Sequence, residues 1–426
     1  GMFGTWSAGA GSSGAADTPV NDLVLAYILF SLAIPPLVMW IYQMVFFGIA
    51  WYTCRYHLHR PKSLADMSGS LPGVSIVKPL MGIDTFLEGN LESHFTLQYP
   101  KYELLLCVQD EQDPVIGLVN NLRERFPNVD CRLFIGGKDG IVNPMVHNMV
   151  PAYENAKYDL VWVSTSRIRA STPILMDLVA RAVQDPTVAI VHQLPFMRND
   201  SVHGMAAIVE KVAFGCNLGK QYLSLSQLGT HIFTGMSYLV RKPYLDKVGG
   251  LAYYGRYLAE DFCLSRDLLI SGYQLVLSAF PAEQMVATAS LPSYKDRMVR
   301  WWRLRLSMMP VVTLVLEPLT ESLLLGAYTS WAVYYLFDVN PYCAMLVHLA
   351  VWIILDYAQL KRIQNGPLPF SFPAFLAAWW LRELLNWIVY AQGLANPRRV
   401  FWGRSTYKLQ HGGLTTAVTS KPSVPM

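Results

Sequence analysis

The chain has 426 residues, of which 53% are hydrophobic, 15% charged and 12% aromatic. So apolar and sparsely charged a sequence is neither a disordered chain nor an ordinary soluble enzyme, in which about a quarter of residues are charged. A net charge of +4 is too small for a nucleic-acid binder, and six dispersed cysteines without a C-x-x-C pair argue against a zinc site and a disulfide framework.

Residues 1–22 are rich in Gly, Ala and Ser without apolar periodicity and read as a disordered N-terminus. Residues 23–52 carry no charge, which exceeds the ~20 residues needed to cross a bilayer and marks a transmembrane anchor. Pro35-Pro36 is expected to kink it. Arg55, His57, His59, Arg60 and Lys62 lie just after this segment, against Asp22 before it. The positive-inside rule then places the residues beyond the anchor in the cytosol.

Residues 53–293 read as that cytosolic domain. Short aliphatic runs at Val74–Pro79, Tyr102–Gln109, Cys131–Ile135, Asp159–Val163 and Val188–His192 alternate with amphipathic stretches near 86–97, 115–125, 145–156 and 173–184. Such alternation predicts an α/β fold with a mostly parallel sheet and right-handed crossovers. Ligands on these sheets bind beyond the carboxyl ends of the strands.

Residues 294–310 interleave Lys295, Arg297, Arg300, Arg303 and Arg305 with Trp301 and Trp302, as an interfacial helix would. Apolar segments come next at 311–337, 341–360 and 371–394, the third interrupted by Arg382-Glu383; residues 311–396 read as C-terminal membrane helices and 397–426 as a tail.

Four clusters carry candidate chemistry. Asp110 comes after an apolar strand, where a carboxylate contacts a ribose or base or merely shapes a turn, and Asp113 before Pro114 fits a helix cap. The strand ending at Ser164-Thr165-Ser166-Arg167 offers no carboxylate where a metal would need one, although a diphosphate leaving group requires neutralising by metal or fixed cations. Helix capping is the alternative for Thr165 and Ser166. Glu260-Asp261 opens a helix and either complements its dipole or supplies a base to an acceptor hydroxyl. Arg297 and Arg300, three apart before Trp301, share a helix face that grips a diphosphate or rests on anionic headgroups. His192 ends a further strand and, alone, reads as structural.

Leu71–Leu80, Tyr99–Glu103, Leu105–Asp110, Pro127–Asp130, Arg132–Lys138, Ala156–Leu160, Ala259-Glu260-Asp261 and Arg297–Trp301 together resemble the ceramide glucosyltransferases, from the first membrane segment to Gly413. The resemblance implies a nucleotide-diphospho-sugar transferase (GT-A-like) domain with membrane helices. It implies inverting transfer of glucose from UDP-glucose to the primary hydroxyl of ceramide at the cytosolic face of the Golgi membrane. In that pattern Asp261 is the base. Lys78, Asp110, Thr165, Arg167, His192, Arg297, Arg300 and Trp301 surround the donor. Two positions depart from the pattern: the second acidic site is Thr165, and the family's Asn-Pro-Lys is Asn143-Pro144-Met145. The first departure counts against a bound Mg2+ or Mn2+ and makes Arg167 the expected substitute. Two rivals stay open: a processive polysaccharide synthase, and a catalytically silent lipid-binding scaffold.

Overall fold

The computed structural model describes residues 20–62, 71–198, 204–230, 232–287, 289–403 and 405–420. Most of the expected disordered N-terminus and the last six residues of the expected tail lie outside them. The chain opens with α1 (Val20–Tyr56), and the α/β region continues as β1 (Val74–Leu80), α2 (Leu87–Phe95), β2 (Tyr102–Val108), α3 (Val115–Arg125), β3 (Cys131–Ile135), α4 (Pro144–Glu154), β4 (Leu160–Ser164), α5 (Thr172–Gln184) and β5 (Val188–His192). Next come β6 (Pro195–Met197), α6 (Met205–Gly215), α7 (Asn217–Gln227), β7 (Ser237–Arg241), α8 (Lys242–Lys247), α9 (Gly250–Tyr254), α10 (Glu260–Ile270), β8 (Gln274–Leu277) and β9 (Ala282–Gln284). The C-terminal part comprises α11 (Leu291–Met308), α12 (Ser322–Phe337), α13 (Pro341–Gln364), α14 (Phe372–Ala395) and strands β10 (Arg399–Trp402), β11 (Ser405–Leu409) and β12 (Thr415–Ser420).

Seven strands form one sheet in the order β3-β2-β1-β4-β7-β5-β8, and only β7 runs antiparallel to its neighbours. The side-chain period of two splits the sheet between two cores. Val74, Ile76, Leu104 and Leu106 enter one, and Val77, Leu105, Val161 and Val163 enter the other. The second core continues without a break into Phe47 of α1, Trp352 of α13 and Phe375 and Trp379 of α14. The sheet and the apolar helices are therefore one packed body.

Among the described residues, two helices are long and apolar enough to cross a membrane, at 22–56 and 341–364. The α1 helix continues through Pro35 and Pro36. Pro36 lacks the N–H that would bond the Leu32 carbonyl, and the Tyr328 hydroxyl of α12 donates to that carbonyl instead at 2.8 Å. The apolar stretch 311–337 is not one helix: a π turn at Val312–Leu316 and a 3-10 turn at Pro318–Thr320 precede α12. Pro318 removes a helix donor, and α12 is left with 16 residues, about 24 Å at 1.5 Å per residue. The charges interrupting α14 point inward, where Arg382 pairs with Glu383 and lies 3.7 Å from Asp356 of α13. The expected tail holds a three-stranded antiparallel sheet, and its Val400, Tyr407 and Leu409 are buried against Leu304 of α11.

Candidate active site

The reversal of β7 builds the site. Because β7 pairs antiparallel with β4, the loop entering it lies at the carboxyl end of β4, and the Thr165 N–H donates to the Met236 carbonyl at 3.0 Å. One residue earlier, the Gly235 N–H donates to Asp261 Oδ2 at 2.8 Å. The first turn of α10 is thus tied to the turn after β4. A Cβ at Gly235 would come 3.1 Å from Glu260 Oε1, so this close approach favours glycine.

The β4 turn is held from below. Lys78 on β1 is fully buried, and its ammonium donates to the carbonyls of Thr165 (2.7 Å) and Ile168 (3.1 Å). His94 bonds the Ser164 hydroxyl at 3.0 Å, and the Asn90 amide donates to the Ser166 carbonyl at 3.2 Å. Burial pushes both Lys78 and His94 well below their ordinary pKa values, and the Lys78 charge adds to the effect on His94. Neither Thr165 nor Ser166 caps a helix, since α5 begins at Thr172. Arg167 is exposed at the end of this turn.

The acidic pair divides its labour. Asp261 Oδ1 accepts from the Phe262 N–H at 2.8 Å, one of the unpaired donors of the helix start. Burial nevertheless raises its pKa against the pull of the two N–H donors. Glu260 is 3% exposed and accepts from the Asn143 side-chain amide at 2.6 Å. Burial, with the charge of Asp261 as the second cause, lifts Glu260 well above the carboxylate range. Two carboxylates this close favour holding one proton between them, with Glu260 its better home. Asn143 also caps α4, its Oδ1 accepting from the Met145 and Val146 N–H groups. An Asn before Pro is a legible cap signal; its second hold on Glu260 has no local signature.

Helix α11 lies beside this pair. Trp301 packs in one apolar cluster with Leu258, Ala259 and Phe262, which flank the acids. Behind it, Trp302 is buried so close to α14 that a Cβ at Gly393 would come 2.2 Å from its ring. Arg297 pairs with Glu210 of α6 and is ringed by Phe214, Tyr294 and Trp301. Its Nε is buried without a partner among the described residues. Arg300 rests over Trp402 at 5.3 Å and has no carboxylate partner among the described residues. Burial lowers its pKa to about 10, and the charges of Arg297 and Arg167 act in the same direction. Three guanidiniums from two elements therefore share one field, opposed directly by Glu210.

Asp110 stands exposed beyond β2 with Oδ1 accepting from the Gln112 N–H at 2.9 Å. Asp113 is fully used: Oδ1 accepts from the Val115 N–H and Oδ2 from the Gly82 N–H. His192 is 1% exposed, bonded through Nδ1 to the Tyr222 hydroxyl at 2.7 Å, and burial lowers its pKa to about 3. Among the described residues no three His, Cys, Asp or Glu side chains gather as metal ligands. A divalent ion needs hard oxygen donors, usually carboxylates, and the turn supplies only the neutral hydroxyls of Thr165 and Ser166 beside a guanidinium. That donor set does not fit a resident metal.

Residues 38–415 match glycosyl transferase family 21. The chain belongs to that family. It is 36% identical to ceramide glucosyltransferase 3 of Caenorhabditis elegans over 84% of this chain and 77% of the relative. Identity to ceramide glucosyltransferase 1 of the same organism is 33%, over 88% and 79%. Identity to the ceramide glucosyltransferase of Komagataella phaffii is 28%, over 79% and 82%. Among solved structures, a mannosyltransferase from Pyrobaculum calidifontis in complex with GDP-Man and Mn2+ shares the fold. Its TM-score is 0.50 at 17% identity, covering 86% of this chain and 99% of that one. The transferase fold expected from the sequence is thereby shown, with its mostly parallel sheet.

Proposed function

We propose that this glycosyltransferase moves glucose from UDP-glucose to the primary hydroxyl of ceramide, with inversion, at the cytosolic face of the Golgi membrane. The observation that carries the reading is the cationic field of Arg297 and Arg300 on α11, whose Trp301 packs against the residues flanking Asp261. A diphosphate leaving group needs such a field, and the buried, unpartnered Nε of Arg297 is a donor that an anion would satisfy.

In the proposed step the ceramide oxygen attacks the anomeric carbon as the carbon–oxygen bond to UDP breaks. The bonding electrons leave with the β-phosphate, where Arg167 and Arg300 neutralise them. Asp261 takes the hydroxyl proton. Its raised pKa makes it a better base than an exposed carboxylate, and Glu260, holding the pair's shared proton, keeps Asp261 ionised. Asp110 is proposed to contact the nucleotide, with Lys78 fixing the β4 turn and His192 bracing Tyr222 behind it. Trp301 closes the apolar side of the pocket.

Physical economy supports a membrane acceptor. A two-chain lipid leaves the bilayer at a cost of about 0.8 kcal/mol per methylene, and an anionic sugar nucleotide does not enter it. A sheet sharing one core with membrane-type helices holds both reactants at the boundary. The test is UDP release by the purified chain from UDP-glucose and ceramide in micelles, with and without EDTA. Activity that survives chelation supports cationic neutralisation by the arginines. Loss on EDTA with recovery on Mg2+ would refute it, and a polymeric product would refute the lipid acceptor.

A further inference from the structure

Away from the acidic pair, α1 and α13 do not close against each other along their whole length. A cavity of about 310 Å³ opens between them, walled by Met44, Phe47, Gly48 and Trp51 of α1 and by Leu355 and Arg362 of α13. On α1 these positions recur at three- and four-residue steps, so they form one helical stripe. Gly48 keeps the stripe hollow: a Cβ built there meets nothing within 4 Å.

Both walls belong to the two helices apolar enough to cross a membrane, so what fills a gap between them is lipid. The mouth is cationic. Arg362 lies 3.5 Å over the Trp51 ring, and it has no carboxylate partner among the described residues. Arg55 and Lys361 adjoin the groove in sequence, and no Asp or Glu occurs at 53–62 or 357–365. A lipid without net charge would leave this charge unbalanced, whereas an anionic headgroup answers it.

We propose that the α1–α13 groove binds one chain of an anionic glycerophospholipid whose net-negative headgroup rests on Arg362. Trp51, packed on the guanidinium, sits at the depth where indoles anchor helices to the headgroup region. The proposal rests on reading α1 and α13 as bilayer spans; it is independent of which sugar or acceptor the enzyme uses.

The test takes the full-length chain, delipidated in detergent, through native mass spectrometry with phosphatidylserine, phosphatidylcholine or ceramide added. One phosphatidylserine is retained in preference to phosphatidylcholine by about five-fold, the effect of one basic group at an anionic headgroup. Arg362→Gln erases the preference and Arg362→Lys keeps it. Gly48→Leu projects a side chain into the hollow, where a Cβ meets nothing within 4 Å, without loss of helix propensity, and abolishes retention of both phospholipids. Equal retention of the two phospholipids, displacement by equimolar ceramide, or unchanged retention in Gly48→Leu would overturn the proposal. A chain that remains soluble and does not float with vesicles would instead overturn the spanning reading and the groove with it, leaving the UDP-release assay to judge the enzyme separately.

Discussion

Replacing Asp261 by Asn removes the proposed base while changing almost no volume. In the native site Oδ1 accepts from Phe262 N–H and Oδ2 from Gly235 N–H, both at 2.8 Å. An asparagine keeps one acceptor and sets its NH2 against the other N–H, so one bond to a charged group is lost, worth about 1.5–3 kcal/mol. Part of that is recovered, because burial no longer opposes a charge at this position. The fold should survive with a stability loss of about 1 kcal/mol, within the range tolerated by most domains. Turnover is a different matter. A positioned general base contributes about 10²–10⁴-fold, equivalent to about 2.7–5.4 kcal/mol of barrier at 1.36 kcal/mol per decade. The assay is UDP release at saturating UDP-glucose and ceramide, alongside calorimetric UDP binding. The expected result is kcat reduced at least a hundred-fold with UDP affinity within about three-fold of the wild type. Wild-type-like turnover in Asp261→Asn refutes the base assignment; lost UDP binding together with lost turnover would mean that the carboxylate serves the donor pocket instead.

Arg300→Ala removes a cation without a carboxylate partner among the described residues, and UDP affinity should fall about 10–100-fold, as for a lost charge-assisted contact of 1.5–3 kcal/mol; unchanged calorimetric affinity would remove Arg300 from the diphosphate site. Glu260→Gln tests the raised acid. A carboxyl whose folded pKa lies above its unfolded value, about 4.3, contributes stability below that value and loses it as pH rises through the folded pKa. Melting temperature should therefore fall with rising pH more steeply in the wild type than in Glu260→Gln, and parallel profiles would count against the buried proton. Lys78→Met leaves the carbonyls of Thr165 and Ile168 without their donor; relief of the buried cation offsets part of the loss, leaving about 1–3 kcal/mol of destabilisation, read as a lowered melting temperature. An unchanged melting temperature would show that the turn holds its shape without the lysine.

The strands that could be read in advance are those whose apolar runs are continuous and bounded by polar turns. Val74–Leu80 and Val188–His192 match their expected limits closely because strands buried on both faces leave such runs, and the half-exposed edge strand Cys131–Ile135 matches because its apolar run is bounded by polar turns. The short β6, β8 and β9 escape because three or four residues carry no period. The C-terminal sheet escapes for another reason: Arg399–Trp402 and Ser405–Leu409 alternate weakly, and their apolar residues gain meaning only against Leu304 and Leu258. Likewise Arg382-Glu383 reads as an interruption until Asp356, on another helix, supplies the partner that lets both charges be buried.

The candidate site was legible as residue types and not as an assembly. Asp261, Arg297, Arg300 and Thr165 announce themselves by position after strands and by helical spacing, because those signals are local. What joins them is not local. Asp261 is tied to the β4 turn through a relay of backbone groups, the Gly235 N–H donating to Asp261 and the Thr165 N–H to the Met236 carbonyl, and a backbone donor has no residue identity from which to be recognised. The same reasoning separates Asp261 from Glu260. Adjacent in sequence and alike in chemistry, they differ because α10 turns one toward the Gly235 N–H and the other into the buried Asn143 amide. On the proposed mechanism, that one backbone hydrogen bond separates the carboxylate assigned as base from the one assigned to hold the proton. If that division is correct, Glu260→Gln should leave a measurable alkaline-side activity with its pH profile displaced to lower pH, since Asp261 no longer shares a proton. A profile unmoved by the substitution would show that the two carboxylates titrate independently.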